Sequence, residues 1–327
     1  MNFQCKNCGG NMVYSPKAKT MYCPYCEGTD CEVAGGDASL TVCASCGGEL
    51  TIGEFVSASK CPYCGNYLIF DERVAGEYKP DTIIPFYLSK EQAVAHMETE
   101  FKKRIFAPVS FLSEKSLEEL NGYYVPFFLY DYETMSLFRG TGTKVKTWRS
   151  GDYDYTETSY YEIRRKMHAG FDNIPADAST EMDDKTMDLI EPYDYKALMD
   201  FDPKFLSGFF SEVYNAPFTE YEDRAKIKAK KSAEALLDSS ISGYSTIRTE
   251  VKTTDLDLKK TDFALFPVWI YKYSFMGRVY PFFVNGQTGK VIGKTPISKL
   301  KVLLYALTMS GGISLILSMI LKLLEVI

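Results

Sequence analysis

The rhythm of apolar and polar positions changes four times along the chain. In residues 1–75, short apolar pairs alternate with turn residues. Asn11–Tyr14 and Glu49–Phe55 read as strands that return through turns, predicting two small β-hairpin ribbons over 1–38 and 39–75. A turn-rich linker, Glu72–Thr82, follows. Lys90–Lys103 then sets Ala93, Val94, Met97 and Phe101 on one helical face, and Glu220–Leu237 does the same with Ala225, Ala229, Ala233 and Leu236.

These two helical stretches belong to a larger echo. Pro85-Phe86 precedes the first helix and Pro217-Phe218 the second. Tyr124–Tyr132 and Leu265–Tyr273 are matching aromatic-rich strands, at offsets of 132 and 141 residues. One helix-plus-strand unit copied twice would explain this, giving a duplicated helix-plus-antiparallel-sheet middle domain over 80–295. In the second copy a meander continues through Arg278–Val284, turns at Asn285-Gly286 and returns through Lys290–Ile292. In the first, Met135–Trp148 and Tyr153–Met167 form a long hairpin. An acidic insertion follows, with Asp172–Pro175, a helical stretch near Thr180–Leu189, and a turn at Asp202–Phe209 packed on aromatics.

The fourth rhythm is unbroken apolarity. Val302–Leu321 holds 20 residues without a charge, about 30 Å as a helix and enough to cross a bilayer. Lys294, Lys299 and Lys301 flank it on one side and Lys322 on the other, so the positive-inside rule places the bulk of the chain in the cytosol. No apolar segment opens the chain. The expectation is a single-pass cell-membrane protein with a tail anchor over 300–327. Ala306, Ser310, Ser314 and Ser318 recur every fourth residue along this helix, a stripe that would let a second membrane helix approach, either another copy, giving a homo-oligomer, or the helix of a membrane partner.

Chemistry enters with the cysteines. Cys5-x2-Cys8, fourteen residues, then Cys23-x2-Cys26 is repeated 38 residues later as Cys43-x2-Cys46, fourteen residues, Cys61-x2-Cys64. Two such knuckles supply four thiolates to one tetrahedral Zn²⁺, so two Zn²⁺ are expected, with these eight cysteines as ligands. Gly9, Gly47 and Gly65 follow a second knuckle cysteine, where the chain turns tightly; Glu27 breaks the pattern, with Gly28 one position on. Two alternatives share this spacing. One is disulfides; the other is a cross-braced site joining Cys5/Cys8 to Cys43/Cys46. Cys31 fits neither set and reads as a spare thiol in the connector Glu27–Ala38.

Charge narrows the function. The net charge is −6, residues 1–75 hold eight acids against five bases, and metal-bound thiolates would add negative charge. That suits a phosphate backbone poorly. Other motifs have plain readings. Asn285–Lys290 has G-x-x-G-K spacing rather than that of a phosphate loop and reads as a hairpin turn; Gly140–Lys144 is equally weak. His96 and Glu100, which could share a metal, read as solvated surface. His168 ends a predicted strand with no nearby nucleophile the sequence can identify. Asp183, Asp184, Glu191 and Asp194 read as an exposed acidic helix and turn rather than an acid/base pair. Tyr153, Tyr155, Tyr160 and Tyr161 read as sheet-surface packing or, alternatively, a binding face. No catalytic constellation stands out, which predicts a non-enzyme.

Taken together, the chain resembles the zinc-ribbon membrane proteins of Gram-positive bacteria, often labelled TFIIB-type zinc ribbon or primosomal helicase-like. The resemblance rests on Cys23–Cys26 and Cys61–Cys64, Gly122–Phe128, Phe171–Pro175, Phe201–Phe209 and Phe283–Lys290. It implies protein partners of the SPFH (flotillin-like) or phage-shock-A-like kind at stressed membranes. The expected class is therefore α+β: two tandem zinc ribbons, the duplicated middle domain and one transmembrane helix. The expected function is a membrane-tethered scaffold or adaptor docking proteins at the cytosolic face through the exposed hairpin tips of the ribbons. The alternative is a nucleic-acid-binding replication or transcription accessory.

Overall fold

The computed structural model describes residues 1–34, 41–108, 120–179 and 182–325. It is a mixed α/β protein with a large sheet and four α-helices among the described residues, the last of them apolar and near the C-terminus. The strands are β1 (Asn2–Cys5), β2 (Val13–Ser15), β3 (Thr20–Tyr22), β4 (Cys31–Ala34), β5 (Val56–Lys60), β6 (Tyr67–Ile69), β7 (Thr82–Ile83), β8 (Asn121–Ser150), β9 (Tyr153–Asp177), β10 (Met199–Asp200), β11 (Phe210–Glu212), β12 (Thr246–Phe275), β13 (Arg278–Asn285) and β14 (Val291–Gly293). The helices are α1 (Lys90–Lys102), α2 (Asp184–Ile190), α3 (Phe218–Ser239) and α4 (Lys299–Glu325).

β8 and β12 are the axis. Each is 30 residues long, roughly 100 Å at about 3.3 Å per residue. They pair antiparallel along most of their length, so the starts of the two echoed stretches meet, with Leu265 opposite Pro126 and Pro267 opposite Tyr124. The first arm of the expected hairpin, Met135–Trp148, and the aromatic strand Tyr124–Tyr132 are one continuous β8, and the second arm lies in β9. Asp172–Pro175 is not an insertion but the end of β9. There Asp172 and Asn173 bulge out against Asp131, Asn173 takes φ 58°, and its N–H donates to the Asp131 carboxylate at 2.7 Å. The expected start of the short helix at Thr180 lies outside the described residues; α2 begins at Asp184, capped by Asp183.

The half of the sheet near Tyr124 is buried on both faces, which explains its almost continuous apolar run. Tyr124, Phe128, Tyr130, Leu265 and Trp269 pack with Ala93, Met97 and Phe101 of α1 and Ala225 and Ala229 of α3. Val125, Phe127, Leu129, Phe266 and Val268 face Met187 and Ile190 of α2. On α3 it is Leu237 that is buried and Leu236 that is exposed, a one-position shift from the expected face. Beyond the cover of α3, β8, β9 and β12 continue as a three-stranded arm turning at Gly151. Tyr153, Tyr155 and Tyr160 stand exposed there; Tyr155 stacks on Trp148 at 5.6 Å, while Tyr160 alternates to the other face.

The ribbons join this body rather than hang from it. Glu49–Phe55 is not a strand; it makes only the isolated bridge from Glu49 to Val42, and the strand is β5. Through β5 and β11 the second ribbon extends the main sheet to β8. The first ribbon packs on the turn at Pro203–Leu206. Ser207 donates its hydroxyl to the Met12 carbonyl and accepts the Tyr14 N–H at its own carbonyl, at 2.6 and 2.8 Å.

Candidate metal centres

Each site begins with a backbone turn. In every knuckle the first cysteine's carbonyl accepts a hydrogen bond from the residue after the second cysteine: Gly9 to Cys5, Glu27 to Cys23, Gly47 to Cys43 and Gly65 to Cys61, at 2.8–2.9 Å. The first cysteine's own N–H donates one residue further on, to Gly10, Gly28, Gly48 and Asn66. These turns bring both sulfurs of a knuckle to one side.

The knuckles then close in pairs. Cys5, Cys8, Cys23 and Cys26 form one group and Cys43, Cys46, Cys61 and Cys64 another, with all sulfurs of a group within 4.8 Å of one another. Cys5–Cys26 and Cys8–Cys23 stand 3.5 Å apart, Cys43–Cys64 and Cys46–Cys61 3.8 Å. Four thiolates roughly 2.3 Å from a tetrahedral ion would stand about 3.8 Å apart, so each group can hold one metal ion. The cross-braced arrangement is not what forms, and none of the nine cysteines is in a disulfide.

Burial divides the ligands. The leading cysteine of each knuckle, Cys5, Cys23, Cys43 and Cys61, is buried, while Cys8, Cys46 and Cys64 are exposed. Charge is unevenly shared. The Gly28 amide, aided by Cys8 and Cys5, lowers the Cys26 thiol to about 6. The Gly10 amide favours the Cys8 thiolate, but the thiols of Cys26 and Cys23 outweigh it and push Cys8 up to about 12. Burial opposes ionisation of Cys61, yet the Cys64 and Tyr63 amides bring it down to about 7. A dication relieves this crowding by letting all four sulfurs ionise.

The remaining candidates do not converge. His96 lies against Gly289, whereas Glu100 pairs with Lys103 at 2.8 Å. His168 is exposed on β9 opposite Met135. Asp183 and Asp194 cap local turns, Asp184 pairs with Arg224, and Glu191 pairs with Lys228. Asn285–Lys290 is a hairpin turn, its Asn285 amide side chain bound to the Ile190 carbonyl. Ala306, Ser310, Ser314 and Ser318 are all exposed on α4. One charged cluster escaped the sequence reading: buried Asp177 lies 2.7 Å from Arg224, which also meets Asp184 and Asp188. Nothing in the sequence places residues 177 and 224 together.

No protein-family model matches the chain, and no solved structure matches it. The uncharacterized protein YdjG of Bacillus subtilis (strain 168) is 35% identical over 331 residues, covering 98% of this chain and 97% of that protein. At that identity and coverage, the chain belongs to the family of B. subtilis YdjG.

Proposed function

We propose that the protein is a non-enzymatic, zinc-binding scaffold held to the cell membrane by α4, with its bulk in the cytosol. The observation that carries this is the closed ligand set. Each site offers four cysteine thiols, a full tetrahedral ligand set, the pattern of structural rather than catalytic zinc. The buried ligands Cys5 and Cys23 sit in the same apolar cluster as Tyr124 and Trp269, so metal would stabilise the junction of ribbon and sheet. Lys299–Ile320 is long and apolar enough to cross a membrane and is unburied. The pairing of the two echoed strands supports reading the middle region as a duplication.

The arm supplies the docking surface in this reading, and the partners are proteins, with SPFH-like and phage-shock-A-like proteins first to be tested. Crosslinking in native membranes, followed by mass spectrometry, should capture a protein joined to arm residues such as Tyr160 or Arg164. Crosslinks confined to α4 and lipid would sink the scaffold reading.

A nucleic-acid role draws its support from the arm, where Arg139, Arg164, Arg165 and Lys166 line one shallow hollow. Glu250 and Glu162 pair with Arg139 and Arg164, which weakens that patch. Salt-dependent retention of single- or double-stranded DNA or RNA by the full chain would favour this role over the scaffold.

A further inference from the structure

Cys31 is outside both ligand groups, but the fold gives it a partner. β4 pairs antiparallel with β1, and the register sets Cys31 directly opposite the ligand Cys5. The Cys5 N–H donates to the Gly10 carbonyl at 2.9 Å and its carbonyl accepts the Gly9 N–H at 2.8 Å. Both polar groups of Cys5 are therefore turned into the knuckle, away from β4. The next rung does bond across the strands, Lys6 N–H to the Asp30 carbonyl at 3.2 Å. Cys5 and Cys31 are thus a non-hydrogen-bonded cross-strand pair, whose side chains share a face and whose Cα atoms lie about 4.5 Å apart in such pairs. A disulfide spans Cα separations of roughly 4.4–6.8 Å.

The second ribbon lacks this feature. The position 38 residues after Cys31 is Ile69, which pairs with Ala58 in the main sheet. One site carries a neighbouring fifth thiol; the other does not.

We propose that Cys31 is an oxidative modification site, at which a hydroperoxide joins it to Cys5 and so opens the first metal site while sparing the second. The inference rests on the metal-site reading. Cys31 is half-buried and outside both ligand groups, so metal does not occupy its sulfur, whereas Cys5 is buried; of this pair the oxidant meets Cys31 first. The Cys31 thiolate attacks the peroxide, the O–O bond breaks, and Cys31 becomes a sulfenic acid with release of one water. The Cys5 sulfur then attacks the Cys31 sulfur, the S–S bond forms, and the sulfenic oxygen leaves, with a proton, as a second water. In net terms two thiols and one hydrogen peroxide give one disulfide and two waters, the sulfurs supplying both electrons. Only three thiolates then remain at the first site. A dithiol reverses the step by thiol–disulfide exchange, restoring both thiols.

The test uses the full-length, zinc-loaded chain in detergent, hydrogen peroxide as oxidant and a chromogenic chelator to read released zinc. Zinc content before oxidant tests the metal-site reading separately: fewer than two equivalents overturns that reading and this inference with it. Given two, the wild type should release one equivalent quickly, yield a Cys5–Cys31-linked peptide in mass spectrometry, and regain the metal after reduction. Cys31→Ser, and Cys31→Val as a better strand former, should keep both ions at least tenfold longer. Release at the wild-type rate from both variants overturns the proposal. So does loss of both equivalents together, or a disulfide confined to the eight ligands.

Discussion

Glu27 and Gly65 occupy the same corner of equivalent knuckles, with φ of 62° and 75°, and each donates its N–H to the leading cysteine's carbonyl. Gly9 and Gly47 take the same left-handed turn at φ 71°. Glu27 is the odd member: a Cβ in this region costs roughly 1–2 kcal/mol, which glycine avoids.

Glu27→Gly should therefore stabilise the first ribbon by about 1 kcal/mol, after allowing for glycine's freer unfolded chain. In chelator competition this would appear as roughly fivefold tighter metal retention at the first site only. No change would mean that the ribbon relaxes around Glu27 at no cost.

The two sites use disjoint ligands, so they should empty independently. Cys23→Ser removes a buried ligand of the first group and none of the second. Metal analysis of the full chain should fall from two equivalents to one. A fall to none would show that the second ribbon depends on the first, through contacts such as the Asn2 side-chain amide to the Ser45 hydroxyl.

Attachment of the first ribbon to the sheet turns on Gly208. Its φ is +100°, and a Cβ there would stand 2.9 Å from the Val13 Cβ. Gly208→Ala combines an unfavourable backbone with a clash and should destabilise the chain by about 2–4 kcal/mol. Thermal unfolding with zinc present reads this as a lowered Tm. An unchanged Tm would show that the ribbon's seat on Phe205 and Ser207 contributes little.

The metal ligands were legible because C-x2-C is a local constraint: the turn that aims two sulfurs is made by four consecutive residues. The helix faces were nearly so, although Leu236 and Leu237 are both apolar and only the sheet beneath decides between them. The 30-residue strands were harder. Residues 246–262 are mostly polar and largely exposed, with Leu256 and Leu258 only partly buried against the core, so burial leaves little periodic trace. Joining the second ribbon to the sheet was not legible at all. The β5–β11 pairing links residues more than 150 positions apart and uses backbone groups that every residue possesses. Cys31 reads as spare for the same reason: its importance is a matter of register.

α4 offers a direct check on attachment. It spans Lys299–Glu325, and its apolar stretch packs on nothing among the described residues beyond its first turns, where Tyr305 meets Phe106 and Lys301 bonds to the Ala107 carbonyl. Truncation after Ser298 should move the chain from the carbonate-resistant membrane fraction to the soluble one while zinc content stays at two. Soluble behaviour of the untruncated chain would make α4 a partner-binding helix instead.

The buried ion cluster predicts an unusual pH dependence. Asp177 is 1% exposed, and burial raises its carboxyl to about 6 despite the opposing pull of Arg224 2.7 Å away. Glu191 is likewise raised by burial, against Lys228. Asp184 and Asp188 face Arg224, and Lys228 reaches Asp188 and Glu191, so α2, α3 and β9 all contribute charges. Because the folded state holds the Asp177 proton more tightly than the unfolded chain, the group favours folding fully below about pH 4. That contribution is lost as pH rises through about 6, with an upper bound of roughly 3 kcal/mol for a shift of about two units. Asp177→Asn keeps the shape and cannot ionise. The Tm difference between wild type and Asp177→Asn should therefore shift in favour of the variant between pH 4 and 7, by several degrees, and level off above. Metal-site protonation is common to both proteins and cancels in that difference. A difference constant across the range would mean that Arg224 holds Asp177 ionised throughout, and that the pair is a net stabilising bridge between α3 and β9.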